Sequence, residues 1–456
     1  MNKRTVISGV LAVLFVVSVH AQSADFLKLV KTGTPYDVQA AISQGANPNA
    51  DDDSGSTALM YAAGYNPNPA VILTLLTAGS DIKARSKDGT TALTYAAANN
   101  PHPEVITALL NAGSDIKARN KDGTTALISA AGHNPNPEVV GTLLKAGADI
   151  RARNNDGTTA LMGAAGNNPN PDMITTLLKA GAELDAQNNE GTTALMYAAG
   201  KNSNVEVVLT LLKAGADLAA QSKDGTTTFM VAAGNNPNPE VILTLLKAGS
   251  DLKAQNKDGI TALMYAAAYN PNPEVILTLL KAGSDLKAQS KDGTTALMYA
   301  AGNNSNPEVI LTLLKAGADL EARNNEGTTA LMGAAGYNPN PAMIVTLLKA
   351  GADLAAQNNI GGTALMYAAR NNSNPEVITT LLKAGADLTA RDKEGGTALI
   401  GAARKNPNPE AIITLLKEGA DAKAKSNGGK TAFDYAKDND KLKGTDAFRQ
   451  LEEASR

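Results

Sequence analysis

GTTALTYAAANNPHPEVITALLNAGSDIKARNKD, residues 89–122, carries the signals for one complete helix–turn–helix unit. Thr91 precedes Ala92-Leu93-Thr94-Tyr95-Ala96-Ala97, a short alanine-rich helix, and its hydroxyl can cap the free amides at the helix start. Asn100-Pro101-His102-Pro103 cannot continue that helix, because proline lacks an N–H and its ring clashes with the preceding turn. Pro103 instead suits the first position of a second helix, and Glu104 suits its positive end. Val105, Ile106, Leu109 and Leu110 recur at helical spacing and predict one apolar stripe. Gly113 is expected to close this helix in a left-handed conformation, with Ile116 packing back on it. Lys117 to Asp122 then reads as a polar, extended finger that ends in a tight turn at Asp122-Gly123.

The same unit recurs in both directions. Gly55, Gly89, Gly123, Gly157, Gly191, Gly225, Gly259, Gly293, Gly327, Gly361, Gly395 and Gly429 lie 34 residues apart without a slip, so eleven full repeats occupy 55–428. One unit cannot bury its own stripe, whereas stacked units bury a continuous ladder, so the period predicts a solenoid. Leu59, Leu93, Leu127, Leu161, Leu195, Phe229, Leu263, Leu297, Leu331, Leu365 and Leu399 should form one core row. The pairs Leu75-Leu76, Leu109-Leu110 and Leu143-Leu144, with their successors, should form another. Residues 22–54 hold a degenerate unit and 429–456 a more charged one without the Asn-Pro turn; both are expected to cap the stack.

Residues 1–21 read as a secretory signal peptide, with basic Asn2-Lys3-Arg4, an apolar run from Val6 to Val19, and Val19-His20-Ala21 before the cleavage point. The run of 14 residues is short of the ~20 that a spanning helix needs. The expectation is an exported protein, periplasmic or extracellular, with no membrane span after cleavage. The 456 residues include no cysteine and three histidines, His20, His102 and His133. Disulfides, thiolate metal sites and cysteine nucleophiles are thereby excluded, and most histidine chemistry is nearly closed off. The formal net charge is −3, with mixed signs and no basic excess of the kind that nucleic acid would require. No cofactor or metal is expected, and a monomer is.

Thr-x-Leu opening an alanine-rich helix, a second helix ending Leu-Leu-x-Ala-Gly-Ala-Asp, and a finger ending Asp-Gly together resemble the ankyrin repeat. The resemblance covers 24–456 and implies an all-α solenoid of helix pairs and β-turn fingers, wound as a curved superhelix. Two features depart from that family. Its Thr-Pro-Leu-His becomes Thr-Ala-Leu-Met, as at Thr193 to Met196, so the histidine that usually cross-links neighbouring turns gives way to apolar packing. The period is 34 rather than the family's usual one residue fewer, and the extra residue falls in the Asn-Pro-Asn-Pro turn.

The resemblance implies a recognition scaffold that binds a partner protein through its fingers and the exposed face of each first helix, without catalysis. On that face the candidate binding residues are Tyr65, Tyr269 and Tyr337, since tyrosine offers area, rigidity and one hydroxyl. Beside them run Arg85, Arg119, Arg153 and Arg323 in one row and Lys87, Lys121, Lys223, Lys257 and Lys291 in the next. Tyr61, Tyr95, Tyr197, Tyr265, Tyr299 and Tyr367 lie deeper and are expected to pack between repeats. A uniform groove also suits a repetitive envelope glycan or polymer. A carboxylate ladder, Asp81, Asp115, Asp149 and their successors, could in principle serve a hydrolase. Those residues, however, occupy an iterated corner where a side chain can accept local backbone hydrogen bonds. Gly428-Gly429-Lys430-Thr431 imitates the end of a phosphate loop, but it is in register with the finger turns.

Overall fold

The computed structural model describes residues 23–456. The expected signal peptide, 1–21, lies outside the described residues. Among the described residues the regular elements are helices, and β pairing is confined to isolated bridges at finger bases, such as Arg153 with Thr159. No described helix is long and apolar enough to cross a membrane. The chain divides into two compact units, one ending at Lys223 and the other beginning at Asp224.

The first unit opens with helices at 23–32 and Pro35–Ser43. Five pairs follow, in which short inner helices such as Ala58–Tyr65 and Ala92–Asn99 alternate with outer ones such as Pro69–Thr77 and Pro103–Asn111. The second unit holds six pairs, from Thr228–Asn235 with Pro239–Lys247 to Ala398–Lys405 with Glu410–Lys417, and ends in Ala432–Ala436 and Asp446–Ser455. Local chemistry sets these boundaries. The Thr91 hydroxyl accepts from the Thr94 amide at 3.3 Å, and Pro103 stands at the first position of its helix. Gly113 closes that helix with φ of 93°.

Within each unit the inner helices stack, and the leucine row is their core: Leu93, Leu127, Leu263 and Leu331 are each 1% exposed. The outer-helix pairs differ from expectation. Leu75, Leu109 and Leu143 are fully buried, but Leu76, Leu110 and Leu144 are only half-buried. At nine residues per outer helix, the second leucine turns away from the seam toward the edge of the stripe.

The Asn-Pro turns do more than break helices. The first asparagine of each is buried, Asn100 and Asn304 at 1% and 2% exposure. The Asn100 amide donates to the carbonyls of Ala63 and Asn66 in the preceding repeat at 2.9 and 2.8 Å, while its Oδ1 accepts from the His102 amide. Asn134, Asn168 and Asn202 repeat the pattern in the first unit. Asn270, Asn304, Asn338, Asn372 and Asn406 repeat it in the second. The second asparagine caps the outer helix and reaches back as well. Asn136 accepts from the Glu138 amide and donates to Pro101 O at 2.7 Å. Polar cross-linking between repeats is therefore present, supplied by the turn asparagines, and apolar packing is not the only tie.

Candidate protein-binding face

The fingers form a second frame. Each later finger donates one backbone hydrogen bond to the one before it, as from the Lys121 amide to Asp88 O and from the Lys291 amide to Asp258 O, both at 2.8 Å. Side chains reinforce it. Nη1 of Arg85 donates to Gly89 O and Arg119 O, and Nη1 of Arg119 donates to Gly123 O and Arg153 O. Arg153 and Arg323 make the same pair of bonds in their own repeats. The arginine row thus ties successive fingers together, a role the sequence reading did not assign, and Nη2 of Arg153 also lies 3.7 Å from Glu183 Oε2. Where the neighbouring row carries asparagine, its amide is also engaged, as Asn155 with Lys121 O and Asn325 with Lys291 O. Lys87, Lys121, Lys223, Lys257 and Lys291 are exposed instead.

The basic row has an acidic neighbour. Asp88, Asp122, Asp258, Asp292 and Glu326 follow the lysine or asparagine position directly, so the fingertips present alternating signs rather than one positive strip. Ile360 interrupts this acidic row and is 55% exposed. Sequence reasoning passed over it, although an isoleucine in place of the recurring acid was a visible signal.

Inner-helix phenols face the fingers. Tyr265 meets the Thr226 hydroxyl at 3.0 Å and accepts from Asn256 Nδ2 at 3.3 Å. Tyr367 does the same with Thr328 and Asn358. Tyr61 donates to Asp52 Oδ2 at 2.5 Å. Burial pushes the Asp52 carboxyl up, but bonds from Ser54, Tyr61 and Ser56 outweigh it and hold the group at about 2. The same bond, aided by burial, pushes Tyr61 up to about 12. These tyrosines join helices to fingers.

One helical turn further on, Tyr65, Tyr269 and Tyr337 are 48%, 59% and 64% exposed. Tyr65 packs against the rings of Tyr61 and Tyr95, and Tyr269 lies beside Tyr265. Tyr337 borders a cleft of about 420 Å³ in the second unit, walled by Tyr299 and Tyr367 and floored near Met298 and Gly333.

Candidate chemistry elsewhere resolves into structure. Asp115 Oδ1 accepts from the Lys117 amide and Asp285 Oδ1 from the Lys287 amide, both at 2.8 Å, and the other aspartates of the ladder repeat the bond. Thr431 caps a helix, as its register with the finger turns requires. Among the described residues no group of three His, Asp or Glu side chains could hold a metal ion.

A family model described as ankyrin repeats, in three copies, matches residues 28–120, 63–154, 130–222, 229–324, 303–392 and 365–451. The chain belongs to the ankyrin-repeat family. Among curated proteins none matches it. In ankyrin terms the phenol-bearing inner helices and the fingers compose the face expected to bind, and the family indicates a protein-binding scaffold.

Proposed function

We propose that this ankyrin-repeat protein is an exported, non-catalytic scaffold that binds a partner protein through its fingers and inner-helix face. The observation that carries the reading is the contrast on that face. Most polar groups there are bonded into the frame, while Tyr65, Tyr269, Tyr337 and the finger lysines are exposed. Large rigid anchors on a prebuilt frame lose little entropy on binding, which is how a few residues come to dominate an interface. The alternating fingertip charges favour a partner with both signs and set its register more than its affinity. The reading of 1–21 as a signal peptide supports export. The aspartate ladder supports a structural rather than catalytic role, since each member holds a backbone amide.

Identical lysine and asparagine positions repeated along the fingers also suit a repetitive envelope polymer, and one experiment separates the two. The tagged chain lacking 1–21 is used to capture proteins from an envelope extract, in parallel with binding to isolated wall polymer. The expected result is a saturable protein partner that is lost when the three tyrosines become alanine. Binding to polymer alone would replace the protein-scaffold reading.

A further inference from the structure

The repeats themselves specify what the cleft beside Tyr337 is shaped to hold. The inner-helix phenol meets a polar side chain nine positions earlier, in the finger. Tyr197 pairs with Asn188, Tyr265 with Asn256, Tyr367 with Asn358, and Tyr435 with Ser426. Tyr265 and Tyr367 also meet a threonine of the preceding finger, Thr226 and Thr328. In the repeat containing the inner helix Ala330–Tyr337, the phenol position is Gly333. The register there supplies Asn324 and Thr294, and both line the cleft. Oδ1 of Asn324 accepts from the Glu326 and Thr328 amides, as in the other repeats. Its Nδ2, which in Asn358 and Asn256 donates to a phenol, has no protein acceptor among the described residues.

Space is kept as well. Gly336 leaves room for the ring of Tyr367, where an added Cβ would lie 3.2 Å from its Cδ1. Gly302 holds the equivalent place before Gly333, as Gly132 does before Gly163, whereas Ala268 stands there before Tyr299. A Cβ on Gly333 would find only Met298 O, at 3.9 Å. A mid-helix glycine is less favourable than alanine, so Gly333 weakens its helix, and the place a phenol would fill is open.

We propose that this cleft is a socket for a tyrosine side chain of the partner protein, its ring between Tyr299 and Tyr367 and its hydroxyl held by Asn324 and Thr294. The proposal rests on the scaffold reading and names its specificity element: a protruding phenol that completes the row the chain leaves open. Gly163 and Asn154 repeat the register in the first unit, but Ser129 stands there in place of a flanking tyrosine, so the test must be resolved by site.

N-acetyl-tyrosinamide and N-acetyl-phenylalaninamide serve as probes, titrated into the full chain while the Asn324 side-chain amide is followed by NMR. The tyrosine probe should shift that amide saturably at millimolar concentration, and the phenylalanine probe severalfold more weakly. Gly333→Tyr copies the neighbouring repeats, so it should fold with a raised melting temperature and show no probe-dependent shift at Asn324. No saturable shift in the wild type, equal response to the two probes, or unchanged binding in G333Y would each overturn the socket. Equal capture of the partner by G333Y and wild type would also remove it while leaving the scaffold standing. Probe binding without any protein partner would instead fail the scaffold alone.

Discussion

At the residue scale, the turn asparagines are the members whose loss should be felt most. Asn304 is buried and satisfies two carbonyls and one amide, so Asn304→Ala strands groups that water cannot reach. The expected loss is about 2–3 kcal/mol of unfolding free energy in urea, set by the desolvation cost of unpaired buried polar groups. An Asn304→Ala protein as stable as wild type would show that the cross-link is incidental. Asp52 makes a pH-dependent contribution. Its folded value of about 2 lies below the ordinary carboxylate value, so its stabilisation is complete above roughly pH 4 and is lost as pH falls toward 2. Melting curves of wild type and Asp52→Asn should therefore differ at pH 6 and converge near pH 2. The turn itself was legible from proline and asparagine as local breakers. The second role of the asparagines was not, because their partners lie 34 and 37 residues away and no local rule connects them.

At the scale of the element, two glycines with the same backbone sign make different demands. Gly113 and Gly123 both have positive φ, of 93° and 76°. A Cβ on Gly113 would meet nothing within 4 Å, whereas on Gly123 it would lie 2.5 Å from Asn155 Oδ1 and 2.9 Å from Asn155 N. Gly113→Ala should cost about 1 kcal/mol, the left-handed penalty alone. Gly123→Ala should cost clearly more, because it also pushes apart two bonded fingers. Chemical denaturation of the two variants checks the order, and equal losses would mean that the fingers yield freely. Helix starts, proline positions and glycine stops were all readable, since capping and φ limits act within a few residues. The half-burial of Leu76, Leu110 and Leu144 was not, because the spacing places them on the stripe but only the neighbouring helix decides its width.

At the scale of the whole molecule, periodicity made the architecture legible: a register held through twelve glycines admits little besides a stack. The candidate face was only partly so. Exposed tyrosines could be placed by counting along the inner helix, but the bonds of Arg85, Arg119, Arg153 and Arg323 to the next finger could not. Basic rows that look like recognition charges in sequence serve in part as backbone clamps. In the proposed scaffold the tyrosines are therefore the anchors to test first. The most direct test is the affinity of the captured partner for wild type and for the variant carrying Tyr65→Ala, Tyr269→Ala and Tyr337→Ala, with melting temperature as the control. Anchors of this kind contribute about 2 kcal/mol each, so affinity should fall at least about 100-fold, while the variant still melts cooperatively with a small drop from the lost Tyr65 and Tyr269 ring contacts. Retained affinity in the triple variant would contradict the assignment of this face as the binding surface.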